Sequence, residues 1–359
     1  MQRFWLLIFF ALAAQVAIAQ GSVGDSAAII EPFPIVSYDT DTGVGYGAKV
    51  VLRNQFRQRE SFDLTLFNSS KGERWYRLVF SVPDFELRQG TVYPVALDLV
   101  LDYDKWIKNS FFGVGRTSQF EDREYYTKEP LEISVTLSRG FSESFIGQLG
   151  ARYKAIRNFS FQEDSRLVAL EPDLNHLRVS YVALFTTLRH DSRDSYINPS
   201  HGLVVQGEVE RAPYMLGANV AFYRFALWTH FYAPAFMGKS VVALRAGFQS
   251  IQGENLPTQV LMSLGGNRDL RGSPQDRYLD KVVAVINSEF RFPLYWRFGA
   301  IAGVDAGNTW SSPSKASLGG WVINPTAGLR FFMETFVVRF DIGFGTEATG
   351  FYLNFGQLF

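Results

Sequence analysis

The chain has 359 residues, with 33 Phe, 31 Gly and 16% aromatic residues overall. Its 35 Lys and Arg balance its 35 Asp and Glu, which argues against nucleic acid as a partner, and the lack of Cys excludes disulfides and thiol-linked lipid. Beyond the first twenty residues no run of eighteen apolar residues occurs, so no transmembrane helix is expected.

Residues 1–19 have the layout of a secretory signal. Arg3 supplies the positive end, Phe4 to Ala14 an apolar core too short to span a bilayer, and Ala17-Ile18-Ala19 a small-residue cleavage pattern. The mature chain is expected to begin at Gln20, with 20–41 a short periplasmic segment that leaves no room for a folded periplasmic domain. Residues 42–359 are then one domain, and period two dominates it. Val95, Leu97, Leu99, Leu101 and Tyr103 oppose Ala96, Asp98, Val100, Asp102 and Asp104. Phe336, Val338, Phe340, Ile342 and Phe344 oppose Arg339, Asp341 and Gly343. Alternating segments of about ten residues with one wholly apolar face suit strands that cross a bilayer at a tilt. Strands of a soluble sandwich average nearer five or six. Abundant Phe beside abundant Gly fits a barrel with lipid outside and water inside.

Strands are expected near 43–53, 60–69, 73–83, 92–104, 130–141, 144–157, 176–190, 201–213, 218–233, 239–252, 280–293, 297–308, 322–333, 335–345 and 350–359. A single-chain antiparallel barrel needs an even number, so a sixteenth is assigned to the irregular stretch 109–128. The fold class is therefore all-β: one transmembrane antiparallel β-barrel of about sixteen strands, with short turns at one end and long loops at the other. One loop stands out, between the eleventh and twelfth strands. Leu264 to Tyr278 is almost without apolar residues, yet Gly265, Gly266, Gly272 and Pro274 suit a defined path with Arg271 near its tip. The last strand is amphipathic, with Phe351, Leu353, Phe355 and Phe359 assigned to one face.

Other chemistry is sparse. The four His are His176, His190, His201 and His230, and none pairs with an evident nucleophile. No catalytic, cofactor or metal site is assigned, no cofactor is expected, and the chain is read as not being an enzyme. Asp98, Asp102 and Asp104 are read as lining water.

The loop and its neighbours resemble the BamA/TamA-type outer-membrane superfamily, the bacterial surface antigen barrels. Gly265-Gly266 followed by Leu270-Arg271-Gly272 is similar to that family's aliphatic-Arg-Gly-aromatic loop motif, with Ser273 in the aromatic position. Asn287 to Leu294, Gly303-Val304-Asp305-Ala306-Gly307-Asn308, Gly328-Leu329-Arg330-Phe331 and Phe355 to Phe359 resemble the strands that follow it. Pro34 to Gly47 resembles a first strand, and Leu188 to Asp194 with Pro199 and Gly202 another recurrent motif. The resemblance is to standalone barrels without POTRA domains. It implies a loop folded into the barrel, with Arg271 and Gly272 locked against Glu289 and Asp305. Both acids also alternate onto the polar faces of their strands. A lateral seam is expected between a first strand carrying Gly43, Gly45 and Gly47 and the last strand, and Phe355 and Phe359 form the terminal targeting signal. The location implied is the bacterial outer membrane. The expected partners are outer-membrane lipids, and client outer-membrane proteins or a separate periplasmic protein. The function implied is insertion or translocation of proteins or lipids; the alternative is a passive pore or structural barrel.

Overall fold

A computed structural model describes residues 28–171, 177–235, 238–334 and 336–359. The proposed signal segment and His176 lie outside the described residues. In chain order the strands are β1 (Ile29–Asp39), β2 (Gly43–Arg53), β3 (Ser61–Ser69), β4 (Glu73–Val82), β5 (Tyr93–Phe111), β6 (Glu124–Gly140), β7 (Phe145–Phe159), β8 (Arg178–Asp191), β9 (Gly202–Ala212), β10 (Phe222–Pro234) and β11 (Val241–Gln252). After them come β12 (Met262–Leu264), β13 (Tyr278–Asp280), β14 (Val282–Pro293), β15 (Phe298–Trp310), β16 (Val322–Phe332), β17 (Val337–Phe344) and β18 (Thr349–Phe355). Sixteen of them close into an antiparallel barrel, with β1 against both β2 and β18. The other two, β12 and β13, form a small hairpin inside the long loop between β11 and β14.

The count of sixteen holds, but its missing member lies elsewhere than expected. Residues 109–128 add no strand: β5 simply runs on to Phe111 and β6 begins at Glu124. The additional strand is β1, inside the segment that was expected to be periplasmic. Pro32 and Pro34 hide it from a sequence reading, because proline cannot donate to a ladder and demotes a run as a strand.

The wall sorts side chains by the pleat. Val95, Leu99, Leu101, Ile133, Val135, Leu137, Leu184, Leu188, Ile323 and Leu329 are exposed on the outer surface. Their neighbours in sequence, such as Ser134, Thr187, Asn324 and Arg330, are buried on the inner one. An apolar exterior around a polar interior inverts the arrangement of a soluble protein and matches a lipid-facing barrel. The inner face also holds an apolar cluster. Leu264, Leu270 and Tyr278 of the long loop pack there with Val179, Tyr181, Phe222, Ile251, Val283 and Val285 of the wall.

Candidate functional site

The loop between β11 and β14 is held by its own backbone before it touches the wall. Gly266 N donates to Ser273 O at 2.8 Å, and Ser273 N to Leu270 O at 3.1 Å. Gly265, Gly266 and Gly272 all take positive φ, a region that side chains with a Cβ rarely occupy. At Gly272 the need is doubled, because an added Cβ would lie 2.6 Å from Gly345 N. Gly343 meets the same tip from the wall, and a Cβ there would lie 2.3 Å from the Arg271 carbonyl carbon. Loop and wall thus touch backbone to backbone through three glycines.

That contact sets Arg271 in the middle of the inner face, with its side chain wholly buried. Its Nε and Nη2 donate to the two oxygens of Asp305 on β15 at 2.8 and 2.9 Å, a planar two-point grip. Its backbone N–H adds a third bond to Asp305 at 3.1 Å. Nη1 donates to Glu289 on β14 and to Asp341 on β17, each at 2.9 Å. The structure therefore brings Arg271, Glu289 and Asp305 together and adds a third acid, Asp341, that the sequence reading left out. It also surrounds the acids with more cations. Arg291 reaches Glu289 at 2.8 Å, Arg330 reaches Glu289 and Asp341, and Arg339 reaches Asp341 at 3.2 Å. The signal for these residues was available, since Arg339 and Asp341 share the polar face of one strand and Arg330 that of the next.

Ser273, which departs from the family's aromatic, is held by a polar contact. Asn324 Nδ2 donates to Ser273 Oγ at 3.0 Å and to Arg271 O at 2.9 Å. Beyond the tip, Asp276 is anchored to the opposite wall by Asn109 at 3.2 Å and Lys128 at 3.3 Å. Burial opposes its ionisation, but Lys128 and the hydrogen bonds from Ser263 and Asn109 hold its carboxyl below the usual range. Arg277 is buried between Glu347 and Ser118 of two other loops.

The loop also grips both sides of the place where the barrel closes. Gly272 N donates to Tyr352 Oη on β18 at 3.1 Å, and Gln275 N donates to Asp41, in the turn after β1, at 2.8 Å. Closure itself is brief. Only Tyr38 and Asp39 of β1 are in register with β18, opposite Leu353 and Tyr352, and Thr40 N adds one bond to Phe351 O at 3.2 Å. Ile29 to Ser37 pair with β2 alone. The direction of the free edge follows from the ladders: Ser70 N bonds Val44 O and Thr40 N bonds Phe351 O, so even-numbered residues of β1 point away from β2. Pro32 and Pro34 therefore face the gap, which lacks N–H donors at both.

The expected seam glycines are not on that edge. Gly43, Gly45 and Gly47 lie on β2, where Gly45 leaves room for the ring of Phe67: an added Cβ would sit 2.3 Å from it. Phe355 and Phe359 do not share a face either. Phe355 ends β18 on the outside, its ring 5.6 Å from that of Phe336. Gly356, at φ +85°, then turns the chain, and Phe359 is buried inside against Tyr232 and Ala243. The inner acids Asp98 and Asp102 are paired, with Arg88 and Arg77 respectively. His201 contacts Asp194 at 3.3 Å.

Residues 44–359 match the model of the Omp85 superfamily domain. Among solved structures, the chain is similar to BamA from Haemophilus ducreyi lacking POTRA domains 1-3, at 15% identity and a TM-score of 0.67, over 92% of this chain and 70% of that one. It is also similar to CdiB from Escherichia coli, at 13% identity and a TM-score of 0.62, over 89% of this chain and 62% of that one. It thus spans less than two thirds of CdiB. At these identities the likeness carries the fold. No curated protein matches the chain by sequence. The family match covers nearly the whole barrel, including the loop and the strands it locks against, and the chain belongs to the Omp85 superfamily.

Proposed function

We propose that this protein sits in the bacterial outer membrane and inserts or translocates proteins or lipids there, using the gap between β1 and β18 as its working surface. The observation that carries the reading is the seam. A closed barrel hides its strand edges, yet here most of β1 has a neighbour on one side only. In a bilayer, unpaired backbone is tolerated only beside water or a partner, so this edge is suited to being covered and uncovered. The loop's hydrogen bonds to Tyr352 and Asp41 support a role for the Arg271 cluster in stiffening one end of the seam.

The test uses the chain's lack of Cys. Tyr38→Cys and Leu353→Cys stand opposite one another across the seam. Their disulfide in proteoliposomes is expected to suppress insertion of an unfolded outer-membrane protein, or lipid transfer, and reductant is expected to restore it. Equal activity in the locked and reduced states would remove the basis for a working seam. Steady planar-bilayer conductance with no stimulated insertion or transfer would instead favour a passive pore.

A further inference from the structure

The long-loop end of the barrel holds a cavity of about 370 Å³, beside the loop that carries Arg271. That is within the roughly 300–1,000 Å³ usual for small-molecule sites. Four segments line it: Arg277 and Tyr278 come from the Arg271 loop, Arg116 and Gln119 from the β5–β6 loop, Trp321 from the β15–β16 loop and Glu347 from the β17–β18 turn. The cavity also reaches the outer side of the wall. Val322 and Ile323 line it, and Ile323 is exposed on the apolar exterior. Here β16 outruns β17: their pairing begins at Thr326 and Gly343, so Val322 to Pro325 have β15 as their sole strand neighbour.

Of the two cations in the cavity, one is spent. Arg277 gives Nε and Nη2 to Glu347, and Nη1 and Nη2 to Ser118 Oγ and O, the latter two at 2.9 Å. Arg116 makes no hydrogen bond or ion pair with any described residue. It is nevertheless held in place. Gly115 N donates to Leu279 O of β13 at 2.7 Å, and the Arg116 guanidinium lies so close over Gly320, at φ +77°, that a Cβ there would collide with it. Trp321 is half-buried and equally fixed: Nε1 donates to Ser317 O at 3.4 Å, and its ring meets Trp310 edge-on at 6.1 Å. A held indole asks for a flat apolar face, a held and unpaired guanidinium for an anion with several oxygens, and the amide and carboxylate of Gln119 and Glu347 for hydroxyl groups. A pyranose ring bearing a phosphate supplies all three. We propose that this cavity binds a phosphorylated sugar, with Trp321 against the ring and Arg116 on the phosphate. The opening beside Ile323 gives access from the bilayer as well as from solution, so the sugar is either the headgroup of a glycolipid or a soluble saccharide. The site lies apart from the gap between β1 and β18 and does not depend on whether the barrel handles clients.

The test is binding, measured by calorimetry on the folded barrel in detergent with glucose 1-phosphate, glucose and inorganic phosphate. Glucose 1-phosphate is expected to bind at least tenfold more tightly than either of the others. Arg116→Gln should erase its advantage over glucose, and Trp321→Ala its advantage over inorganic phosphate. Equal affinity for the three probes, or an advantage that survives its substitution, overturns the proposal. Arg116 is exposed on a loop, so its Gln variant decides the matter even where Trp321→Ala does not assemble. A second pair of probes separates the two sources. One is a bisphosphorylated glucosamine disaccharide carrying acyl chains, in phosphatidylcholine vesicles that hold the barrel; the other is the same disaccharide without acyl chains. Tighter binding of the acylated form supports the site and assigns its ligand to the membrane. Equal or weaker binding of that form supports the site with a soluble ligand, and failure of both to bind overturns it.

Discussion

Arg271 binds three acids, but those acids depend on it to different degrees. Glu289 keeps Arg291 and Arg330, and Asp341 keeps Arg330 and Arg339, whereas Asp305 has its direct bonds from Arg271 alone among the described residues. Arg271→Ala is therefore expected to strand Asp305, at about 3–5 kcal/mol for a buried pair broken on one side. Adding Asp305→Ala should cost little more, since the same contact is already gone, and Arg271→Lys should rescue only part because an ammonium lacks the planar fork. Unfolding in lipid reads these values, and simple additivity would show that the pair is not coupled. Gly343 carries the second prediction. By alternation alone it is merely an inner-face position that should accept Ala. The loop tip pressed against it makes Gly343→Ala an overpacking change of about 1–3 kcal/mol. The grip of Arg271 on Glu289 and Asp305 was legible because loop motif and strand parity both marked those residues. The close approach at Gly343 was not, because a glycine in a strand does not reveal which backbone passes over it.

At the scale of the element, β17 shows how well period two reports a wall. Phe340 sits mid-strand on the outer face between Leu329 and Leu353, and its neighbours Arg339 and Asp341 are buried inside. Phe340→Arg is expected to cost about 2–4 kcal/mol near the bilayer midplane, measured by reversible unfolding in vesicles. A cost near zero would mean that this face does not meet lipid. Two elements escaped the same rule. β1 was obscured by its prolines, and the stretch after Phe355 reads as more strand until Gly356 turns it inward. Alternation counts residues but does not see where a strand stops being paired. The loop joins these elements at Tyr352. Tyr352→Phe leaves the Gly272 N–H unsatisfied, at about 1–3 kcal/mol. The loop should then loosen, so trypsin should cut faster at Arg268, which is exposed, while Arg277 stays protected between Glu347 and Ser118. Unchanged cleavage at Arg268 would show that Tyr352 does not hold the loop.

For the whole molecule, the proposed working seam makes the two prolines of β1 the residues expected to set how long a guest strand would stay. A strand laid along Ile29 to Ser37 faces Ile30, Pro32, Pro34 and Val36. All four offer a carbonyl, but only Ile30 and Val36 offer an N–H. The guest can donate along the full edge and must leave two of its own carbonyls without a partner. Each missing bond is worth about 0.5–1.5 kcal/mol, and about 1.4 kcal/mol is a factor of ten in an equilibrium. Differences of this kind appear mainly in the departure rate. On the proposed function, the edge would therefore favour brief residence, since two of the four positions facing the gap lack a donor. Pro32→Val with Pro34→Val completes the row of donors, and a guest strand trapped on the barrel should then dissociate roughly tenfold or more slowly. Crosslinking yield against time, with one cysteine on β1 and one on the guest, measures that residence. An unchanged decay would mean that the prolines do not set it.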